Sequence, residues 1–247
     1  MNHLQDKVVV ITGASSGIGA VSAKALAARG AKIVATARSQ EDLDQLVADI
    51  NKPGGTAVAK LTDVADTAAM QALADFSVER FGRIDVLVNN AGLMLFSFWK
   101  DLALDDWNRM IDVNIRGYLN GVHAVLPVML RQKSGHILNV DSVVGHQVGD
   151  GAGVYSSTKF FVQAMTESMR KELGVREGIK ASTISPGVID TGWADKVTDP
   201  VGRKAAQELN AIAVSPQSVA DAVVHALDQP ADVTVNYLII SPTRQNW

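Results

Sequence analysis

The stretch V-V-V-I-T-G-A-S-S-G-I-G, Val8 to Gly19, decides the fold. Its first four residues, Val8–Ile11, are β-branched without interruption and read as a strand buried on both faces. Gly13, Gly17 and Gly19 follow, and an Ala-rich helical pattern over Gly19–Arg29 takes over at once. A chain leaving a buried strand must turn sharply to enter a helix, and glycine tolerates the angles required. Glycine also lets a pyrophosphate approach the amides at the helix N-terminus, where the helix dipole favours negative charge. The spacing is G-x-x-x-G-x-G, not the commoner G-x-G-x-x-G, and no P-loop lysine is present, which argues against an NTPase. A tight glycine turn with no ligand stays open on this motif alone.

The same alternation repeats outward along the chain. Apolar runs at Ile33–Thr36, Thr56–Leu61, Ile84–Val88, His136–Val140, Lys180–Ile184 and Tyr237–Ile240 read as further strands. Helical spacing covers Glu41–Ile50, Thr67–Phe81, Trp107–Arg131, Tyr155–Leu173 and Pro216–Leu227. Gly30, Gly82, Gly135 and Gly178 fall where helices should stop. Strand–helix alternation with right-handed crossovers predicts an α/β Rossmann-type fold, with a doubly wound parallel seven-stranded sheet and helices on both faces. No linker, repeat or composition shift divides the chain, so residues 1–247 read as one dinucleotide-binding and catalytic domain. The weakly periodic stretch around 191–210 follows the sixth strand and is expected to form a substrate-covering lid.

Composition narrows the function classes. With 47% hydrophobic and 20% charged residues the 247-residue chain is of ordinary soluble composition, long enough to bury a core without staples. It has no cysteine, which excludes disulfides, thiolate metal sites and a cysteine nucleophile. A net charge of -3 argues against nucleic acid and anionic membrane as partners. No apolar run approaches the ~20 residues that span a bilayer, and no secretory signal precedes Val8, so a cytoplasmic location is expected.

The second strand bears on the choice of dinucleotide. NAD sites place an acidic residue near its end to hold the ribose 2′-hydroxyl. Here the strand ends A-T-A-R, and Arg38 stands where a guanidinium can pair with a 2′-phosphate. NADP(H) is therefore preferred over NAD(H), with a solvated arginine at a helix start as the alternative.

Tyr155 is followed four residues later by Lys159, a spacing that puts both on one helix face. A phenol with a pKa near 10 is a poor proton donor at neutral pH. An ammonium ~4 Å away, at an effective dielectric of ~20, is worth about 4 kcal/mol, enough to bring it toward neutrality. Ser142 ends the fifth strand, so its hydroxyl can converge with Tyr155 on the carboxyl edge of the sheet. Accidental pairing on an exposed helix, and a turn or cap role for Ser142, remain open.

Taken together, the chain resembles the short-chain dehydrogenase/reductase family over essentially its whole length. The elements occur in family order: T-G-A-S-S-G-I-G at Thr12–Gly19, D-V at Asp63–Val64, N-N-A-G at Asn89–Gly92, V-N at Val113–Asn114, Ser142, Y-S-S-T-K at Tyr155–Lys159 and P-G-V-I-D-T at Pro186–Thr191. The tail Val235–Gln245 resembles a bacterial branch of NADP-dependent reductases of aldehydes and ketones, including 3-hydroxy-acid and serine dehydrogenases. The resemblance implies that Tyr155 is the proton donor in reduction and that Lys159 lowers its pKa and binds the nicotinamide ribose. Ser142 would orient the carbonyl, and Asn114 would help hold a relay water. Gly13, Ser15, Ser16, Gly17, Ile18 and Gly19 would meet the pyrophosphate, Arg38 the 2′-phosphate, and Asp63 and Val64 the adenine. Asn90, Ala91 and Gly92 would line the cleft; Pro186, Gly187, Val188 and Thr191 would fix the nicotinamide. A homotetramer is the family expectation.

The implied activity is NADPH-dependent reduction of a small-molecule ketone or aldehyde, reversible to the alcohol. The alternatives are a 3-hydroxy-acid dehydrogenase, an acyl-carrier-protein-linked 3-oxoacyl reductase and a catalytically silent NADP-binding sensor. Leu93, Met94, Val144, His146 and Trp193 are candidates for the substrate pocket, with core or subunit packing as the other reading for the aromatics. No metal-ligand spacing is present. Two residues depart from the pattern: Asp141, where a small neutral residue usually precedes the serine, and Ser241, where a basic residue is expected.

Overall fold

All seven β-branched runs form strands: β1 (Val8–Thr12), β2 (Lys32–Ala37), β3 (Thr56–Leu61), β4 (Val86–Asn89), β5 (Gly135–Val140), β6 (Ile179–Pro186) and β7 (Tyr237–Ile240). They are seen in a computed structural model that describes residues 2–246. The strands make one sheet in the order β3-β2-β1-β4-β5-β6-β7, and every neighbouring pair is parallel. Consecutive connections run outward in opposite directions from the β1–β4 boundary. That boundary is the topological switch point, where the crevice beyond the strand ends opens.

Side-chain alternation along the strands feeds two cores. Val9 and Ile11 of β1 pack with Ala23 and Leu26 of α1 (Gly17–Ala27), Leu43 and Leu46 of α2 (Gln40–Asn51), and Val219 and Val223 of α9 (Pro216–Leu227). Val8 and Val10 face the other way, onto Met70 and Leu73 of α3 (Thr67–Phe81) and Val125 and Met129 of α5 (Gly117–Gln132). Caps fix where helices begin. The Asp66 carboxylate accepts from the amides of Ala68 and Ala69 at 2.8 and 3.1 Å at the start of α3. The Ser215 hydroxyl does the same for α9, with Pro216 in the first turn.

Three expectations need correction. The single helix over Trp107–Arg131 is instead α4 (Leu104–Ile111), a π-helical turn (Asp112–Arg116) and α5. The wide turn accommodates Asn114, which is fully buried and bonded to neighbouring chain segments. The Tyr155–Leu173 pattern resolves into α6 (Gly153–Met169), a second π-helical turn (Arg170–Gly174) and the short α7 (Val175–Glu177). Gly135 begins β5 and does not end a helix; Lys133 takes the left-handed conformation at φ 51° that closes α5. The stretch around 191–210 contains a 3₁₀ turn (Ala194–Lys196) and α8 (Pro200–Asn210), whose buried residues are only Gly202 and Ala206. Such a narrow buried face produces no apolar stripe to read. No helix among the described residues is long and apolar enough to cross a membrane.

Candidate active site

The site begins at the end of β1. The Thr12 hydroxyl accepts from the amides of Asn90 and Ala91, both at 3.0 Å, and the Asn90 side-chain amide donates back to the carbonyls of Thr12 (2.9 Å) and Gly13 (3.1 Å). These bonds lock the glycine turn to the end of β4. They also show why glycines stand there. Gly13 has φ +65°, and a Cβ on it would lie 2.8 Å from the Ala91 Cα. A Cβ on Gly19 would fall onto the Gly13 carbonyl oxygen and lie 2.5 Å from the Asn90 amide nitrogen. The glycines are thus required by the closeness of turn and sheet, before any ligand is considered. Ser16 precedes α1 without capping it through its side chain, so the first amides of α1 take no side-chain cap from Ser16.

A cleft of about 680 Å³ runs along the carboxyl edge of the sheet. One wall carries Gly13, Ser15, Ser16, Gly17 and Ile18 from the turn, and Arg38, Asp63 and Val64 beyond β2 and β3. Arg38 is exposed and enters no ion pair among the described residues. The floor and far wall carry Asn90, Ala91 and Gly92, then Ser142, Tyr155 and Lys159, then Pro186, Gly187, Val188 and Thr191. Leu93, Met94, Val144 and Trp193 also line it. The sequence reading missed Lys196 and Leu209, on the 3₁₀ turn and α8, and Gln245, whose side-chain oxygen accepts from the Val188 amide at 3.0 Å. No local pattern marks them, because the fold brings them in from distant segments.

Three candidates lie elsewhere. Gly19 is buried behind the turn. Asn114 is saturated: its side chain donates to the Leu93 carbonyl (2.8 Å) and the Thr158 hydroxyl (3.1 Å) and accepts from the Leu93 amide (2.8 Å). Its side chain therefore fixes the Leu93 loop against α6. His146 does not line the cleft. Its ring bonds to Ser185 (3.1 Å), Gln163 (2.8 Å) and Tyr237 behind the sheet edge, because the 3₁₀ turn Val143–Gly145 carries it away from Ser142. The aromatic run after β4 is also packing. Phe96 joins Trp193, Val197 and Ala206 in a small cluster, and Trp99 lies tilted against Trp107 at 5.2 Å between ring centres.

Tyr155 and Lys159 occupy successive turns of α6. The Lys159 ammonium donates to the Val140 carbonyl at 2.9 Å and lies 5.7 Å from the centre of the Tyr155 ring. Burial pulls its pKa down to about 8, with the Asp141 charge opposing. Burial works against the expectation that Lys159 brings the phenol toward neutrality. Burial pushes the Tyr155 phenol up, the Asp141 carboxylate pushes it further, and the Ser142 hydroxyl pulls the other way. Burial and the neighbouring carboxylate thus both favour the protonated phenol.

The residues fit a dinucleotide. Lys159 is a buried ammonium with three N–H donors and one protein acceptor, so it retains donors for hydroxyls of a bound ligand. Unpaired Arg38 lies beyond β2, one strand to one side of β1, and Ser142 lies beyond β5, two strands to the other.

A doubly wound parallel sheet with a glycine turn at its switch point and a Ser–Tyr–Lys group across the crevice defines a Rossmann-type oxidoreductase. Residues 7–202 match the family model described as short chain dehydrogenase. An uncharacterized oxidoreductase of Staphylococcus saprophyticus is 45% identical, with all of both chains aligned. Among solved structures, the closed form of serine dehydrogenase complexed with NADP+ superposes with a TM-score of 0.89 at 31% identity, over 97% of this chain and 96% of that one. A short-chain dehydrogenase/reductase from Burkholderia phymatum in complex with NAD gives 0.89 at 28% identity, over 97% and 90%. The chain belongs to the short-chain dehydrogenase/reductase family.

Proposed function

We propose that the protein is an NADPH-dependent carbonyl reductase acting on a small ketone or aldehyde, with Tyr155 as proton donor. The observation that carries this reading is the Tyr155 phenol on the same cleft wall as Ser142 and Lys159, beside the switch point. Bound NADPH supplies the hydride. The chain's own residues do the rest. Ser142 and Tyr155 hold the carbonyl oxygen, and Tyr155 donates its proton as negative charge develops there, the charge stabilisation that dominates such barriers. Lys159 holds the ribose and places positive charge behind the phenol. The turn at Gly13–Ile18 would hold the pyrophosphate, Arg38 the 2′-phosphate, Asp63 and Val64 the adenine, and Asn90 to Gly92 the centre of the dinucleotide. Pro186, Gly187, Val188 and Thr191 would fix the nicotinamide. Asn114 contributes by fixing the Leu93 loop.

Leu93, Met94, Val144 and Trp193 would form an apolar substrate wall, with 191–210 as its lid. A second reading, oxidation of a hydroxy acid, is favoured by Lys196 on the same cleft, a cation suited to a carboxylate. We also propose a cytoplasmic homotetramer. Exposed Leu119, Leu130 and Phe160 on α5 and α6, and Tyr237 and Ile239 on the edge strand β7, support burial against further copies.

The test is consumption of NADPH, and separately NADH, over a panel of ketones, aldehydes, keto acids and acyl thioesters. The expected result is turnover of uncharged carbonyls with preference for NADPH. Turnover restricted to carboxylates would favour the second reading, and turnover restricted to acyl thioesters an acyl-carrier-protein-linked reductase.

A further inference from the structure

Asp141 is the residue of this site that the reading above leaves without a role. It follows β5 directly, just before Ser142, and its amide donates to the Ile184 carbonyl at 2.7 Å. Its side chain is completely buried. One carboxylate oxygen accepts from the Gln163 amide at 2.8 Å and the Ser185 hydroxyl at 2.9 Å, while the other has no hydrogen-bond partner among the described residues. Gly145 closes over it so tightly that a Cβ there would lie 2.7 Å from both oxygens. A buried carboxylate with two neutral donors and an orphan oxygen is costly unless a cation answers it.

The ionisable groups facing it come from four elements. Lys159 and Tyr155 belong to α6, Tyr118 to α5, His146 to the residues just after the 3₁₀ turn Val143–Gly145, and Tyr237 to β7. His146 stands 3.8 Å from the carboxylate and is itself bonded to Ser185, Gln163 and the partly exposed Tyr237. It is therefore engaged with neutral partners, whereas Lys159 brings a cation to the end of the same strand through the Val140 carbonyl, one residue from Asp141. Lys159 is 3% exposed and has a single protein acceptor. Left alone in such a place, an amine sheds its proton.

We propose that Asp141 is a positioning residue whose buried carboxylate is the fixed counter-ion that keeps Lys159 an ammonium at neutral pH. The proposal rests on the proton-donor reading above, because it is the charged form of Lys159 that binds hydroxyls and supports Tyr155. It assigns Ser185 and Gln163 the task of holding that carboxylate, and it gives the departure from a small neutral residue a function. The Asp141 charge raises the Lys159 pKa against the larger effect of burial; burial likewise raises the Asp141 pKa, against the lowering by Lys159 and by the hydrogen bonds from Ser185 and Gln163.

The test reads the amine directly, without cofactor or substrate. Protein labelled with ¹³C and ¹⁵N in lysine is titrated by NMR, the Lys159 signal being assigned by its absence in Lys159→Met. In the wild type the midpoint is expected near 8. In Asp141→Asn it should fall by about one pH unit or more, so that the amine is neutral over much of the physiological range. Should that variant not fold, Asp141→Ser is titrated instead. Ser185→Ala removes a hydrogen bond but not the charge, and should move the midpoint far less. An unchanged or raised midpoint in the Asp141 variants would overturn the proposal, as would an equal shift in Ser185→Ala. As a second readout, the fall of NADPH affinity with rising pH should set in about one pH unit lower in Asp141→Asn than in the wild type. Loss of NADPH binding with the NMR shift intact would fault the cofactor reading and leave the counter-ion standing.

Discussion

Replacing Lys159 by methionine should reveal how much stability the fold gives up to keep a cation in its interior. In the folded protein the amine titrates near 8, against 10.5 when free. That gap of about 2.5 units, at about 1.36 kcal/mol each, amounts to about 3 kcal/mol. The unfolded chain binds more protons than the folded one between the two values, so stability rises with pH across that window. The penalty is fully present below about pH 8, shrinks as pH climbs, and is gone above about pH 10.5. Methionine fills a similar volume without a charge. It leaves the Val140 carbonyl satisfied, since the Tyr118 hydroxyl also donates to it at 2.5 Å. Urea unfolding at fixed protein concentration, from about pH 7 to about pH 10, measures the effect; the quantity to follow is the wild type's stability relative to Lys159→Met. Ionisable groups that do not face Lys159 cancel in that difference, and Asp141, the one coupled to it, titrates well below this window. The wild type should gain about 2–3 kcal/mol on the variant between about pH 8 and pH 10. Parallel pH curves, or a wild type that loses ground, would refute the reasoning.

Further outcomes follow from the same geometry. Gly19→Ala should lower stability by about 1–3 kcal/mol, because its methyl collides with the Gly13 carbonyl and the Asn90 amide, and thermal unfolding checks it. Arg38→Asp should lose NADPH affinity while retaining NADH binding, read by fluorescence titration of each cofactor. His136 is buried against Ser182 at 2.7 Å, and burial takes its pKa from 6.5 to about 3. Its contribution is therefore present above about pH 6.5 and lost as pH falls toward 3, and His136→Gln should flatten the acid limb of the stability curve in that window. Hydrogen exchange over residues 194–210 should slow on adding NADPH and substrate together if this segment closes over the cleft.

How much of this was legible in the sequence depends on how local its cause is. The seven strands were readable because parallel strands buried on both faces need unbroken apolar runs, and Val8–Ile11 or Ile33–Thr36 could be little else. The helices over Thr67–Phe81 and Pro216–Leu227 were readable to the residue, since Asp66 and Ser215 cap them through their own side chains. The π-helical turn at Asp112–Arg116 was not, because Asn114 is held there by Leu93 and Thr158, groups far away in sequence. The helix Pro200–Asn210 was missed for want of an apolar face. In the site, the glycine turn, Ser142, Tyr155 and Lys159 were marked by spacing. His146 was misplaced, since nothing local shows that its turn points it toward Ser185 and Tyr237. The phenol's raised pKa was hidden for a related reason: i,i+4 spacing states who is adjacent but not how deeply the pair is buried or that Asp141 faces it.

The most direct test is Tyr155→Phe, assayed by NADPH oxidation with the best ketone of the panel and, on the same preparation, by NADPH binding. Removing only the hydroxyl should eliminate turnover and leave cofactor affinity within a few-fold of the wild type. Reduction that continues at the wild-type rate without that hydroxyl would mean that some other group delivers the proton.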